Sequence, residues 1–198
     1  MFHSKFLIPN SILPAFLFSS FCLLPACSSS QINKKVGTTT ALTAKELTLV
    51  NNPPKKILAE IDALLPLALE WYDKVEKSLY DKGRVLSKAE RKQAISLGVK
   101  NPDKIRVVIL KQFPEPNSQS THNHFEGARA MGNIIMIKPK HKGNSVILCH
   151  ELVHIAQKDR LGLKQFLTRL AIEREVLGYS KSLLENEAYA KQQTIEKK

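Results

Sequence analysis

Val146-Ile147-Leu148-Cys149-His150-Glu151-Leu152-Val153-His154-Ile155 is an apolar run broken by only three ionisable polar side chains, two histidines with a glutamate beside the first. Read as a helix, the run places His150 and His154 one turn apart on one face, so both imidazoles reach a common point. Glu151 is rotated by roughly 100° from His150, outside the ligating pair but near it. A surface helix with two unrelated histidines is the plain alternative. The apolar residues around the pair argue against it, because they mark a helix buried in a core. A His-Glu-x-x-His pattern also arises by chance only about once in a hundred chains of this composition, which favours a metal site.

Working outward, Gly143-Asn144-Ser145 introduces the helix, which should stop by about residue 158, near Gly162. Upstream, Ile105-Arg106-Val107-Val108-Ile109-Leu110 is rich in β-branched residues and reads as a strand ended by Pro114 and Pro116. Residues 117–131 read as a polar loop, and residues 133–138 as a second strand closed by Pro139. Two strands make a thin sheet, so a further one is to be sought within 117–131. Ile57, Ile61, Leu64, Leu65, Ala68, Leu69, Tyr72, Val75 and Leu79 recur at helical spacing, with Pro66 as an expected kink. Ser87-Lys88-Ala89-Glu90 is a capping box for a helix over 88–97 that Gly98 stops. Helices over 163–177 and 181–194 follow. The fold class is therefore α+β, mainly helical, with a small sheet bordering the motif helix.

Residues 1–26 read as a secretory signal: Lys5 supplies the positive start, and an apolar stretch from Phe6 to Leu24 follows. The signal ends in Leu24-Pro25-Ala26-Cys27, which resembles the lipobox of bacterial lipoproteins. That resemblance implies cleavage before Cys27, lipidation of its thiol and attachment to a membrane of the bacterial cell envelope. Ser28 in place of aspartate after the cysteine points to the outer membrane, with the domain facing the periplasm. Residues 27–54, rich in Ser, Thr, Asn and Lys and ending at Asn51-Asn52-Pro53-Pro54, read as a flexible tether. The folded domain is then 55–198. With Cys22 removed and Cys27 acylated, Cys149 is the last thiol, and its apolar neighbours make it a core residue.

Removing residues 1–26 takes away one lysine and no acid, leaving 29 basic against 18 acidic residues, a charge of +11. The basic residues are scattered through predicted helices, and no nucleic-acid motif accompanies them. Nucleic acid is therefore not an expected partner; general attraction to an anionic membrane surface is.

The motif's chemistry is that of zinc hydrolysis: protein ligands hold Zn2+, an open position takes water, and Glu151 acts as the general base. His150 and His154 leave the site one ligand short. No histidine follows His154, so a carboxylate is needed; the downstream acids are Asp159, Glu173, Glu175, Glu185, Glu187 and Glu196. Glu173, nineteen residues after His154, sits with Arg174 and Glu175 in what reads as a charged, exposed turn. Leu184-Glu185-Asn186-Glu187-Ala188-Tyr189-Ala190 resembles the Glu-x-x-Ala signature on the third-ligand helix of gluzincins, the glutamate-liganded zincins. It threads twice, as Glu185 with Ala188 or as Glu187 with Ala190, and residues two apart face opposite sides of a helix.

From Leu97-Gly98-Val99 through the motif helix to Gly178-Tyr179 and Glu185-x-Glu187-Ala188, the chain is similar to a little-characterised family of bacterial metallopeptidases. This resemblance implies a zincin-like fold, a peptide or protein substrate and Glu185 as third ligand, with Glu187 the alternative and Glu173 behind both. Tyr179, Tyr189, His122 and His124 are candidates for donating to an oxyanion. His122-Asn123-His124 reads as exposed loop, and Phe113-Pro114-Glu115-Pro116 as a turn. The reading from another class is a non-catalytic envelope lipoprotein that uses a zincin scaffold for binding or assembly.

Overall fold

A computed structural model describes residues 41–116 and 127–196. The strand signals at 105–110 and 133–138 become β1 (Arg106–Ile109) and β3 (Ile134–Ile137), with β2 (Ala128–Met131) beside them. The order is β1-β3-β2: β1 pairs with β3 in parallel, Val107 opposite Ile135, and β2 pairs with it antiparallel, Ala130 opposite Ile135. The β2–β3 turn requires Gly132, whose φ of +62° is left-handed and whose missing Cβ leaves room for the Glu76 carboxylate.

Successive strand residues face opposite layers. Val108, Met131, Ile134 and Met136 pack against α2 (Lys55–Leu79), while Val107, Ala130, Ile135 and Ile137 pack toward α3 (Lys88–Ser96) and α4 (Ser145–Leu161). Every residue of β2 and β3 is buried. A strand covered on both faces reads as a continuous apolar run rather than an alternating one. Each fully buried isoleucine here contributes about 1.5–3 kcal/mol.

The helices form where the spacing predicts them. α2 buries Ile61, Leu65, Ala68, Tyr72, Val75 and Leu79, one side of a 3.6-residue period, and continues through Pro66. The Ser87–Glu90 capping box starts α3. Asn144 caps α4 by accepting from the backbone N–H groups of Val146 and Ile147 at 3.0 and 3.1 Å. α4 runs to Leu161, where Gly162 at φ +82° breaks it, at the glycine expected to stop it, and α5 (Leu163–Leu177) begins. Eleven consecutive residues of α4, Ile147 to Gln157, are buried, as a helix enclosed on all sides must be. α6 (Leu183–Glu196) lies along α4, with Ala188 fully buried between them.

One expectation is corrected. The segment read as tether, 27–54, carries helix α1 (Ala44–Asn51), opened by a Thr43–Glu46 capping box and anchored by buried Val50 and a Lys181–Glu46 ion pair. The folded part therefore begins about ten residues before the expected boundary at 55. The further strand sought within 117–131 is β2, at 128–131, the end of the stretch that otherwise reads as loop. The signal, Cys27 and the tether up to residue 40 lie outside the described residues, and among those described no helix is long and apolar enough to cross a membrane.

Candidate metal centre

α4 and α6 run antiparallel, and each turns a polar stripe toward the other. On α4 the stripe is His150, His154 and Gln157; on α6 it is Glu185, Tyr189 and Gln192. Both have the i, i+4, i+7 spacing of one helix face. Packing the stripes together brings His150 Nε2 within 3.1 Å of His154 Nε2, the rings nearly perpendicular at 77°. Glu185 Oε2 lies 3.3 Å from the first nitrogen and 3.5 Å from the second. All three residues are at most 2% exposed.

The outer ring nitrogens are occupied as well. His150 Nδ1 is 2.9 Å from Gln192 Oε1, and His154 Nδ1 is 2.9 Å from Gln157 Oε1. An amide oxygen only accepts, so each Nδ1 is the N–H and each neutral ring turns a bare Nε2 lone pair inward. Two lone pairs and a carboxylate oxygen then converge, three acceptors with no proton of their own to share. Such a cluster is stable only around a proton or a cation. The electrostatics agree. Burial alone pushes His154 down, but the Glu185 carboxylate, with Glu151 and Gln157, outweighs it and raises the imidazole to about 9. Burial pushes Glu185 up, and the positive field of His154 and His150, then of Arg174, brings it well below the ordinary carboxylate range.

Comparison with known proteins finds no family model, no curated protein and no solved structure that matches this chain. The site must be judged on its own chemistry. The donor set of two imidazoles and a carboxylate, with ligand atoms all within 4.8 Å of one another, fits a divalent cation.

Of the two threadings of 184–190, the structure brings Glu185 to the histidines. Glu187 instead meets α4 one turn further along, where it accepts from Arg160 Nη1 and Nη2 at 3.1 and 2.9 Å and from Gln157 Nε2 at 3.1 Å. Glu173 is not in the cluster either, and it is not the exposed residue its charged neighbours suggest. It is 1% exposed, and its Oε2 accepts from Leu184 N and Ser182 Oγ, both at 2.9 Å, which ties down the start of α6. Asp159 accepts instead from the backbone N–H of Lys100, and Glu175 is exposed.

Glu151 is 1% exposed and bonded by the backbone N–H of Ala130 in β2, and among the described residues its Oε2 has no hydrogen-bond partner. Burial raises its carboxyl above the ordinary value, against the opposing pull of His150 and His154. A buried orphan carboxylate oxygen is costly unless something else occupies the space beside it. Close by, a cavity of about 10 Å³ lined by His154, Tyr72, Ala130 and Phe166 has room for about one water.

The tyrosines border the cluster. Tyr179 Oη donates to Glu185 Oε2 at 3.3 Å and shares a 2.9 Å bond with Tyr189 Oη, and the Tyr189 ring packs edge-on to His150 at 4.8 Å. His122 and His124 lie outside the described residues. Cys149 is fully buried, as expected of a core residue, with its thiol pushed up by burial against the opposing pull of a Gln93 hydrogen bond and the Lys191 charge. Three residues that the sequence reading did not single out complete the surroundings: Gln157, Gln192 and Arg174. Gln157 was the findable one, because it follows His150 by seven residues and so continues the ligand face.

Proposed function

We propose that this chain is a metal-dependent hydrolase, most naturally a peptidase, with His150, His154 and Glu185 holding Zn2+ and Glu151 as general base. The observation that carries this reading is the convergence of His150 Nε2, His154 Nε2 and Glu185 Oε2 with both Nδ1 positions already bonded. Zinc, when bound, supplies Lewis-acid activation of a water and of the scissile carbonyl. The protein's own residues do the rest. Glu151 takes the proton of the attacking water on its unpartnered oxygen and delivers it to the departing amine, a task suited to a carboxyl raised by burial. Arg174 and Tyr179 hold Glu185, so that one oxygen faces the histidines. Tyr189, ring against His150, is the nearer candidate for an oxyanion donor. The proposal includes a zincin-like arrangement of sheet and motif helix, and lipid anchoring through Cys27 in the bacterial envelope.

The test is metal analysis and peptide hydrolysis by the purified chain beside Glu151→Gln. Stoichiometric zinc in both, with hydrolysis of an unstructured protein substrate only in the wild type, supports the enzyme. A wild-type chain that takes up no metal removes the reading. The near-complete burial of the three ligands favours one second reading, a scaffold that binds without turnover. It is distinguished by zinc retained in both proteins and hydrolysis in neither.

A further inference from the structure

Gln157 is fully buried, and its side-chain amide is locked in one orientation. Its Nε2 donates to the Leu184 carbonyl at 2.8 Å and to Glu187 Oε2 at 3.1 Å. Both partners only accept, so turning the amide over would set its oxygen against two acceptors and strand its N–H groups. The oxygen must face His154, where it meets Nδ1 at 2.9 Å. The far end of the chain is also held, since Arg160 grips both carboxylate oxygens of Glu187 at the protein surface. Four residues, Arg160, Glu187, Gln157 and His154, thus form a continuous line from solvent to the buried cluster.

We propose that Gln157 is a positioning residue, and that its locked amide sets His154 with the proton on Nδ1 and the lone pair on Nε2 aimed at Glu185 and His150. Among the described residues Gln192 makes the matching contact to His150, but no pair of acceptors fixes its amide nitrogen, so the lock belongs to His154. An outer partner of this kind prepays the orientation of the ring. Its removal typically weakens metal binding by about 10–100-fold. The inference rests on the metal-site reading for its effect on affinity, and on the amide geometry alone for the placement of the proton.

The experiment pairs zinc titration against a chromophoric chelator with long-range proton–nitrogen spectra of the 15N-histidine protein, metal-free and zinc-loaded. In the zinc-loaded wild type His154 should ligate through Nε2 and show a slowly exchanging proton on Nδ1. Gln157→Met, of equal length but without an acceptor, should bind zinc about 10–100-fold more weakly and lose that slow proton. A ligating Nδ1 in the wild type overturns the proposal, and that measurement needs no variant to fold. So does a folded Gln157→Met with affinity within twofold of wild type and an unchanged Nδ1 signal. Should the wild type take up no zinc, the metal reading falls, yet the metal-free spectra still decide the positioning claim. A protected Nδ1 proton that vanishes in Gln157→Met upholds it, and an unprotected one in the wild type ends it.

Discussion

Arg174 Nη2 donates to Glu185 Oε1 at 3.3 Å, while the second oxygen of the same carboxylate faces His150 and His154. Arginine and glutamate are each almost wholly buried, at 5% and 1% exposure. The carboxylate is therefore divided: one oxygen belongs to a fixed cation from α5, the other to the cluster. Such a buried pair adds little net stability, but breaking it leaves a charge stranded, at about 3–5 kcal/mol. We expect Arg174→Met to destabilise the metal-free protein by about 3 kcal/mol, and zinc to restore more stability to it than to the wild type. Urea unfolding of both proteins, with zinc and with chelator, measures this. Equal zinc-dependent gains in the two proteins would remove Arg174 from its place as the carboxylate's second cation.

Glu151 gives a test of a different kind, because its buried, unpartnered oxygen is a cost that function would explain. Replacing the carboxylate by an amide of the same shape removes the penalty of burying charge. Glu151→Gln should raise the stability of the metal-free chain by about 1 kcal/mol, and lower hydrolysis by about 10²–10⁴-fold in the metal-loaded one. Thermal unfolding and turnover read the two effects. A variant that loses stability and retains hydrolysis contradicts both halves.

The motif helix, the capping box at Ser87, the long amphipathic α2 and the glycine stops were readable because each is set by local chemistry: periodicity, a side-chain cap or a break in the helix. What the sequence concealed depends on tertiary contact. β2 is Ala-Arg-Ala-Met, without a β-branched residue and with a charge at its centre, and only the neighbouring strand and two covering layers make it a strand. Its Arg129 is fully buried, paired with Glu115 at 2.8 Å. Helix α1 carried a legible capping box at Thr43, outweighed by the polar composition around it. Both threadings of 184–190 fit the helical spacing and only the family resemblance favours Glu185; which carboxylate reaches the histidines depends on how α6 packs along α4 around buried Ala188. Gln157 and Gln192 carry no motif of their own.

Glu90 sets an acid limit on stability. Its carboxylate is held by a two-point bond from Arg84, both contacts 2.7 Å, and by the backbone N–H of Ser87, and these lower it to about 2 from an ordinary 4.5. A carboxyl lowered in the folded state stabilises the fold in full above the unfolded value and loses that contribution as pH falls from about 4.5 toward 2. Glu90→Gln should therefore be less stable than wild type at pH 7, with the gap closing across that window. Urea midpoints of both proteins from pH 2 to 7 measure it, and a gap that stays constant with pH would refute the assignment.

Glu173 separates the folded arrangement from the exposed turn suggested by Glu173-Arg174-Glu175. Its Oε2 accepts from Leu184 N and Ser182 Oγ, and Ser182 Oγ in turn accepts from Glu185 N at 3.3 Å, so the carboxylate fixes the first turn of the helix that carries Glu185. Arg169 holds its other oxygen. Glu173→Ala strands a buried N–H and a hydroxyl, and should cost about 2–4 kcal/mol, against changes within about 0.5 kcal/mol for an exposed side chain. Glu173→Gln retains an oxygen for Leu184 N and should recover part of the loss. Because the same turn places Glu185, zinc affinity should fall in the order wild type, glutamine, alanine. Denaturant unfolding and chelator competition on the three proteins give both series, and an alanine variant as stable as wild type would mean that the start of α6 is held by something other than Glu173.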